Sequence, residues 1–194
     1  MELSESYLYK DIFSMAQIKK PIVLEKLVQA LALQVGWEVN YHELGQTIGA
    51  DKETVERYID LLEKAFVIFR LSSFSRNMRN EIKKGRKIYF YDNGIATILA
   101  QPGEGALFEN AIFNQLKAYG ELHYLTHGSL YEVDFILTQP GKAPVGLEAK
   151  YHPLPTDQDK LDRIAKRHDL AEAWLVGRYP TPGYDRFIWG GLIF

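Results

Sequence analysis

The sequence predicts a two-part chain of the α/β class, an α-rich N-terminal part followed by a mixed sheet flanked by helices. Three observations point there. Apolar residues recur at helical spacing from position 22 to 66. The stretch Tyr131 to Lys150, YEVDFILTQPGKAPVGLEAK, alternates with period two on either side of a turn at Gln139-Pro140-Gly141-Lys142. The segments after position 105 read in the order helix, three strands, helix, two strands.

Residues 4–16 read as a short helix, with Tyr7, Leu8, Ile12 and Phe13 at helical spacing. Pro21 opens a second helix, since a first-turn proline lacks only an amide that has no partner there. Its apolar stripe is Ile22, Val23, Leu24, Leu27, Val28, Leu31 and Val35, and Gly36 ends it. Tyr41 to Ile48 is a short helix, Gly49-Ala50 a tight turn, and Asp51 the N-cap of a third helix. The buried face expected for that helix is Val55, Tyr58, Ile59, Leu62 and Phe66. Val67–Leu71 and Lys87–Tyr91 read as strands around a basic loop, and Ile95–Ala100 as a short helix. Gln101-Pro102-Gly103-Glu104-Gly105 is the linker, dividing the chain into domains 1–100 and 105–194. Beyond it, Ala106–Tyr119 is helical, with Phe108, Ala111, Ile112 and Leu116 facing a core. Leu122–Thr126 and the two strands of the 131–150 stretch follow, then a helix Asp157–His168 capped by Thr156, and strands Ala173–Val176 and Phe187–Phe194.

Composition bounds what the chain does. A hydrophobic content of 46% with 13% aromatics excludes an intrinsically disordered chain, and the absence of cysteine excludes disulfides and thiolate metal sites. No apolar run reaches the length of a membrane span and the N-terminus lacks a signal-peptide pattern, so the cytoplasm is the expected location, with no membrane partner. The net charge of −2 is uneven: residues 70–87 hold seven basic residues against one acidic, while the flanking segments are each −4. Nucleic-acid contact is therefore expected at Arg76, Arg79, Lys83, Lys84, Arg86 and Lys87, with Arg70 beside them, gripping phosphates without reading sequence. The third helix offers Lys52, Arg57 and Lys64 against Glu53, Glu56, Asp60 and Glu63, and such a net acidic face disfavours base reading in a groove.

The chemistry-bearing stretch is again 131–150. Alternation places Val133, Phe135 and Leu137 on one face of the first strand and Asp134 on the other, while Glu148 and Lys150 share a face of the second. Charged groups on strands that otherwise look buried are costly unless paired or bound to a metal. Two carboxylates and an ammonium suit a divalent cation beside a phosphate diester. A structural ion pair among the same three residues is the competing reading.

Two resemblances follow from these segments. Short helix, glycine turn, longer helix and two strands resemble a winged helix-turn-helix domain, and the acidic third helix favours its use for docking or spacing over sequence-specific DNA reading. Helix-borne Glu109, strand-borne Asp134 and Glu148-Ala149-Lys150 are similar to the PD-(D/E)xK phosphodiesterases, the restriction-endonuclease-like fold, with Val133 standing where the motif has proline. That resemblance implies Mg²⁺ or Mn²⁺ held by Glu109, Asp134 and Glu148, catalytic roles for Asp134, Glu148 and Lys150, and a supporting Gln158, with His152 at the rim. More widely, ESYLYKDIF, DKETVERYIDLLEKAFVIFRL, GRKIYFYDNGIATILA, LFEN, YEVDFIL and VGLEAK resemble the C-terminal region of prokaryotic AAA-type ATPases. The resemblance implies an ATPase domain, in this chain or another, as a partner. The sequence contains no G-x-x-x-x-G-K-[ST] phosphate loop, so no ATP hydrolysis is expected of these residues.

Overall fold

The computed structural model describes residue 18 and residues 20–75, 85–179, 183 and 185–192, and the helix expected over 4–16 lies outside them. Among the described residues there are six α-helices and two sheets, a mixed α/β arrangement in two compact units. The first unit comprises 1–70 and 88–102, the second 71–87 and 103–194. Residues 71–87 thus belong with the C-terminal unit rather than with the helices that precede them.

In the first unit α1 (Pro21–Leu33) begins on its proline and buries Leu24, Leu27, Val28, Leu31 and Ala32. A two-residue strand β1 (Glu38–Val39), absent from the sequence reading, precedes α2 (Tyr41–Ile48). The Asn40 side chain accepts the amides of His42 and Glu43 at the start of α2. Gly49 ends α2 in the left-handed region at φ 73°, where a side chain would be strained. Asp51 then caps α3 (Lys52–Lys64), accepting the Thr54 amide at 2.7 Å. Val55, Tyr58, Ile59 and Leu62 are buried as their spacing predicts, but Phe66 is not: it is 69% exposed. α3 has ended before it, Phe66 adopts φ 55°, and its ring stands edge-on to Tyr91 at 5.6 Å. Strands β2 (Ile68–Leu71) and β3 (Arg86–Phe90) form a three-stranded sheet in the order β1-β3-β2, and α4 (Asn93–Ala100) packs on α1.

The second unit is built on a five-stranded sheet whose order follows the chain: β4 (Glu121–Thr126), β5 (Glu132–Thr138), β6 (Val145–Lys150), β7 (Glu172–Gly177) and β8 (Phe187–Trp189). β4, β5 and β6 are antiparallel; β6, β7 and β8 run parallel. The step from antiparallel to parallel requires a crossover, supplied by α6 (Pro155–Arg167). α5 (Glu104–Leu116) packs against β5 and β6, with Phe113 against Phe135 at 6.4 Å. α6 packs against β6 and β7 through Leu161, Ile164 and Ala165, which join Leu125, Val133, Ile136, Leu170 and Ala173. Thr156 does not cap α6; the helix begins two residues earlier than expected, at Pro155, and Asp157 accepts the amide of Leu154 at 2.8 Å. β8 stops at Trp189, where a 3-10 turn (Gly190–Leu192) replaces the strand expected to continue.

Candidate functional site: a buried carboxylate and lysine cluster

Backbone pairing of β5 with β6 runs through Leu137↔Val145 and Ile136↔Gly146 and reaches Phe135↔Leu147. Continued by one residue, that register sets Asp134 opposite Glu148, and there side chains take over from the ladder. The Asp134 amide donates to Glu148 Oε2 at 3.2 Å, and the Ala149 amide donates to Asp134 Oδ2 at 2.9 Å. Each carboxylate is thus clamped to the backbone of the other strand. Both residues are buried at 7% exposure, in strands whose neighbours Val133, Phe135 and Leu147 are core. Lys150, two residues beyond Glu148 and on the same strand face, bonds Glu148 Oε1 with Nζ at 2.8 Å. The structure therefore brings Asp134, Glu148 and Lys150 together.

A fourth group completes the cluster. Lys87, expected to contact nucleic acid at the edge of the basic loop, is only 2% exposed. Its ammonium pairs with Glu132 and lies 3.8 Å from Glu109 Oε1 and 3.9 Å from Asp134 Oδ1, 5.6 Å from the Tyr124 ring centre. Lys87 therefore cannot grip phosphate from the surface: three carboxylates enclose its charge. Arg70 is likewise committed elsewhere, to Asp60 at 2.7 Å and to Glu63 through Nε at 2.8 Å. Arg86 is half-buried in β3, and Arg76, Arg79, Lys83 and Lys84 lie outside the described residues. Gln158 does not support Lys150; its amide donates to Asp162 at 2.9 Å. His152 is exposed, edge-on to Tyr151 at 4.8 Å.

The electrostatics follow from burial and from the pairing of charges. Lys87 pairs with Glu109, Glu132 and Asp134, and Lys150 with Glu148. Burial first, and then the charge of Asp134, pushes the Glu148 carboxyl up to about 7, against the opposing pull of Lys150 and the Asp134 amide. Burial likewise pushes Asp134 up, partly offset by Lys87, Lys150 and the Ala149 amide. Burial pulls Lys87 down, but Asp134, Glu109 and Glu132 outweigh it and hold the ammonium charged above its usual range. Burial also opposes the charge of Lys150, yet Glu148 raises it overall.

Among the described residues no three histidine, aspartate or glutamate side chains converge as a ready metal site. Glu109 and Asp134 both approach the Lys87 ammonium, at 3.8 and 3.9 Å, so Glu109 meets the Asp134 and Glu148 pair through that shared lysine. Two buried carboxylates fit a hard divalent cation, which is commonly held by one or two protein carboxylates with waters and substrate phosphate completing the shell.

Comparison with known proteins places two families end to end on this chain. A domain of unknown function, DUF4143, matches residues 104–180 and contains the whole cluster except Lys87. The chain is 27% identical to an uncharacterized protein of Haemophilus influenzae over 141 residues, 68% of this chain and 35% of the relative. It is 25% identical to uncharacterized proteins of Mycobacterium tuberculosis and Mycobacterium bovis over 182 residues, 82% of this chain and 40% of each relative. The chain thus spans well under half the length of these curated relatives. No solved structure matches it significantly. No helix among the described residues is long and apolar enough to cross a membrane. Residues 2–104, more than half of the sequence, match a second domain of unknown function, and the chain belongs to that family, DUF8612.

Proposed function

We infer that the chain is a DNA-associated accessory region of a prokaryotic AAA-type ATPase, acting in the cytoplasm, whose second unit is a restriction-endonuclease-like domain with a Mg²⁺- or Mn²⁺-dependent phosphodiesterase site. The observation that carries this reading is the reciprocal clamp of Asp134 and Glu148 beside Lys150. The DUF4143 match supports the ATPase association, since that domain occurs in AAA-ATPase contexts. The order α2, left-handed Gly49, α3, β2, β3 supports a winged helix-turn-helix in the first unit. Its acidic α3, with Asp60 and Glu63 holding Arg70, suits spacing or docking better than base reading.

Asp134 and Glu148 would hold the cation, which when bound supplies Lewis acidity to a phosphate oxygen and to a water. Glu148 must lose its proton to serve as a ligand, so cation uptake strengthens as pH rises through about 7. The ammonium of Lys150, charged throughout the neutral range, is placed to stabilise charge developing on a phosphate oxygen. Plasmid nicking tests the reading: supercoiled DNA with Mg²⁺ or Mn²⁺ is relaxed by the wild-type chain and not by Glu148→Ala. Equal nicking by the two, or none by wild type, removes the enzyme claim.

One observation favours a second reading, a non-catalytic docking or nucleic-acid-binding module with a degenerate nuclease fold. The Lys87 ammonium already stands among Glu109, Glu132 and Asp134, as an internal counter-ion would. On that reading the wild-type chain shows no divalent-cation binding that depends on Asp134.

A further inference from the structure

The face of α6 turned toward Tyr131 carries a second feature, separate from the carboxylate cluster. Lys160, Arg163, Ile164 and Arg167 recur at the spacing of one helix face and, with Leu130 and Tyr131, line an open cavity of about 220 Å³. The lining holds three cations and no acid. Neither Lys160 nor Arg163 has an acidic partner among the described residues, although α6 is rich in aspartate. Two of its three aspartates are held by other groups: Asp157 accepts the Leu154 amide, and Asp162 pairs with Arg186 at 2.6 Å and accepts from Gln158. Lys160, Arg163 and Arg167 share the side of α6 that lines the cavity.

The wall is also pre-set. The Tyr131 hydroxyl bonds His168 Nε2 at 2.7 Å, and His127 stacks on its ring at 5.4 Å with an interplanar angle of 13°. Arg167 rests over the same ring at 5.6 Å, which fixes its guanidinium without neutralising it. Ile164 is buried, whereas Leu130 is 71% exposed, an apolar group left at the cavity for something to cover. Planar guanidinium donors and an ammonium converging on one space match the tetrahedral oxygens of a phosphate ester. The volume lies below the roughly 300–1,000 Å³ of pockets for drug-sized ligands, which suits one phosphorylated unit.

We propose that this cavity binds a phosphate ester of nucleotide size, its phosphate on Lys160, Arg163 and Arg167 and its apolar body against Leu130 and Ile164. A free mononucleotide and one unit of a single strand share that chemistry, and the experiment separates them. A fluorescein-labelled single-stranded oligonucleotide is titrated with the full chain in EDTA and followed by anisotropy, with adenosine monophosphate and inorganic phosphate as competitors. Because metal is excluded, failure of the Asp134 and Glu148 reading leaves this test intact. Expected is at least tenfold weaker oligonucleotide binding in Arg163→Ala/Arg167→Ala, a salt slope lower by about one for each cation removed, and weaker binding in Leu130→Ser with an unchanged salt slope. All three positions sit on the surface or its border, and unchanged circular dichroism checks that the variants fold. Direct binding of adenosine monophosphate that is lost in the same variants assigns the site to a free nucleotide; binding confined to the oligonucleotide assigns it to a strand. Wild-type affinity in the double variant overturns the proposal, as does competition by inorganic phosphate equal to that of the nucleotide together with an indifferent Leu130→Ser.

Discussion

Glu148 ties the stability of the second unit to pH between the ordinary carboxyl range and neutrality. Its carboxyl titrates at about 7 in the folded chain against an ordinary value of 4.5. At about 1.36 kcal/mol per pKa unit that difference corresponds to roughly 3 kcal/mol. The sign follows from proton counting: between 4.5 and about 7 the folded chain keeps a proton that the unfolded chain has released. The contribution is therefore fully present below 4.5 and is lost as pH rises through about 7. Asp134, pushed up by burial, adds in the same direction. Urea unfolding of the wild type at about pH 5 and about pH 8 is expected to show a fall of about 2.5 kcal/mol, with Glu148→Gln removing most of it. The slope is the readout, because glutamine offers one oxygen where glutamate bonds both Lys150 and the Asp134 amide, and that loss costs about 1–3 kcal/mol at every pH. A wild type flat across this window, or a Glu148→Gln chain with the same slope, would refute the account of the buried pair.

Two further outcomes follow from the packing. Lys87→Met leaves Asp134, Glu109 and Glu132 without their shared ammonium and is expected to cost about 3–5 kcal/mol near neutrality; urea unfolding checks it. Gly120→Ala places a methyl 2.5 Å from the Thr138 carbonyl oxygen, a backbone atom that cannot swing aside, and a loss of about 1–3 kcal/mol in thermal unfolding is expected.

What the sequence made legible is what local periodicity controls. The caps at Asp51 and the left-handed Gly49, the stripe of α1, and the alternation that sets Asp134 against core residues are short-range patterns, and they hold in the fold. Lys87 was not legible. In a run with Arg86 and two preceding lysines it reads as solvated, and only the long-range approach of Glu109, Glu132 and Asp134 makes its burial tolerable. Phe66 sits at helical spacing yet past the end of α3, so the period assigns it a buried face that the backbone does not give. The cation stripe of α6 could have been found by counting charges per helix face, but Tyr131, which completes the cavity, is 29 residues upstream of Lys160 and meets it through tertiary contact alone.

The account turns on whether a cation belongs between Asp134 and Glu148. Titration calorimetry with Mn²⁺ at about pH 8, where Glu148 is ionised, puts that to the molecule directly. The expected result is saturable heat with one ion per chain in the wild type, absent in Asp134→Asn and in Glu148→Gln. No heat from a folded wild-type chain, or the same heat from both variants, would contradict it.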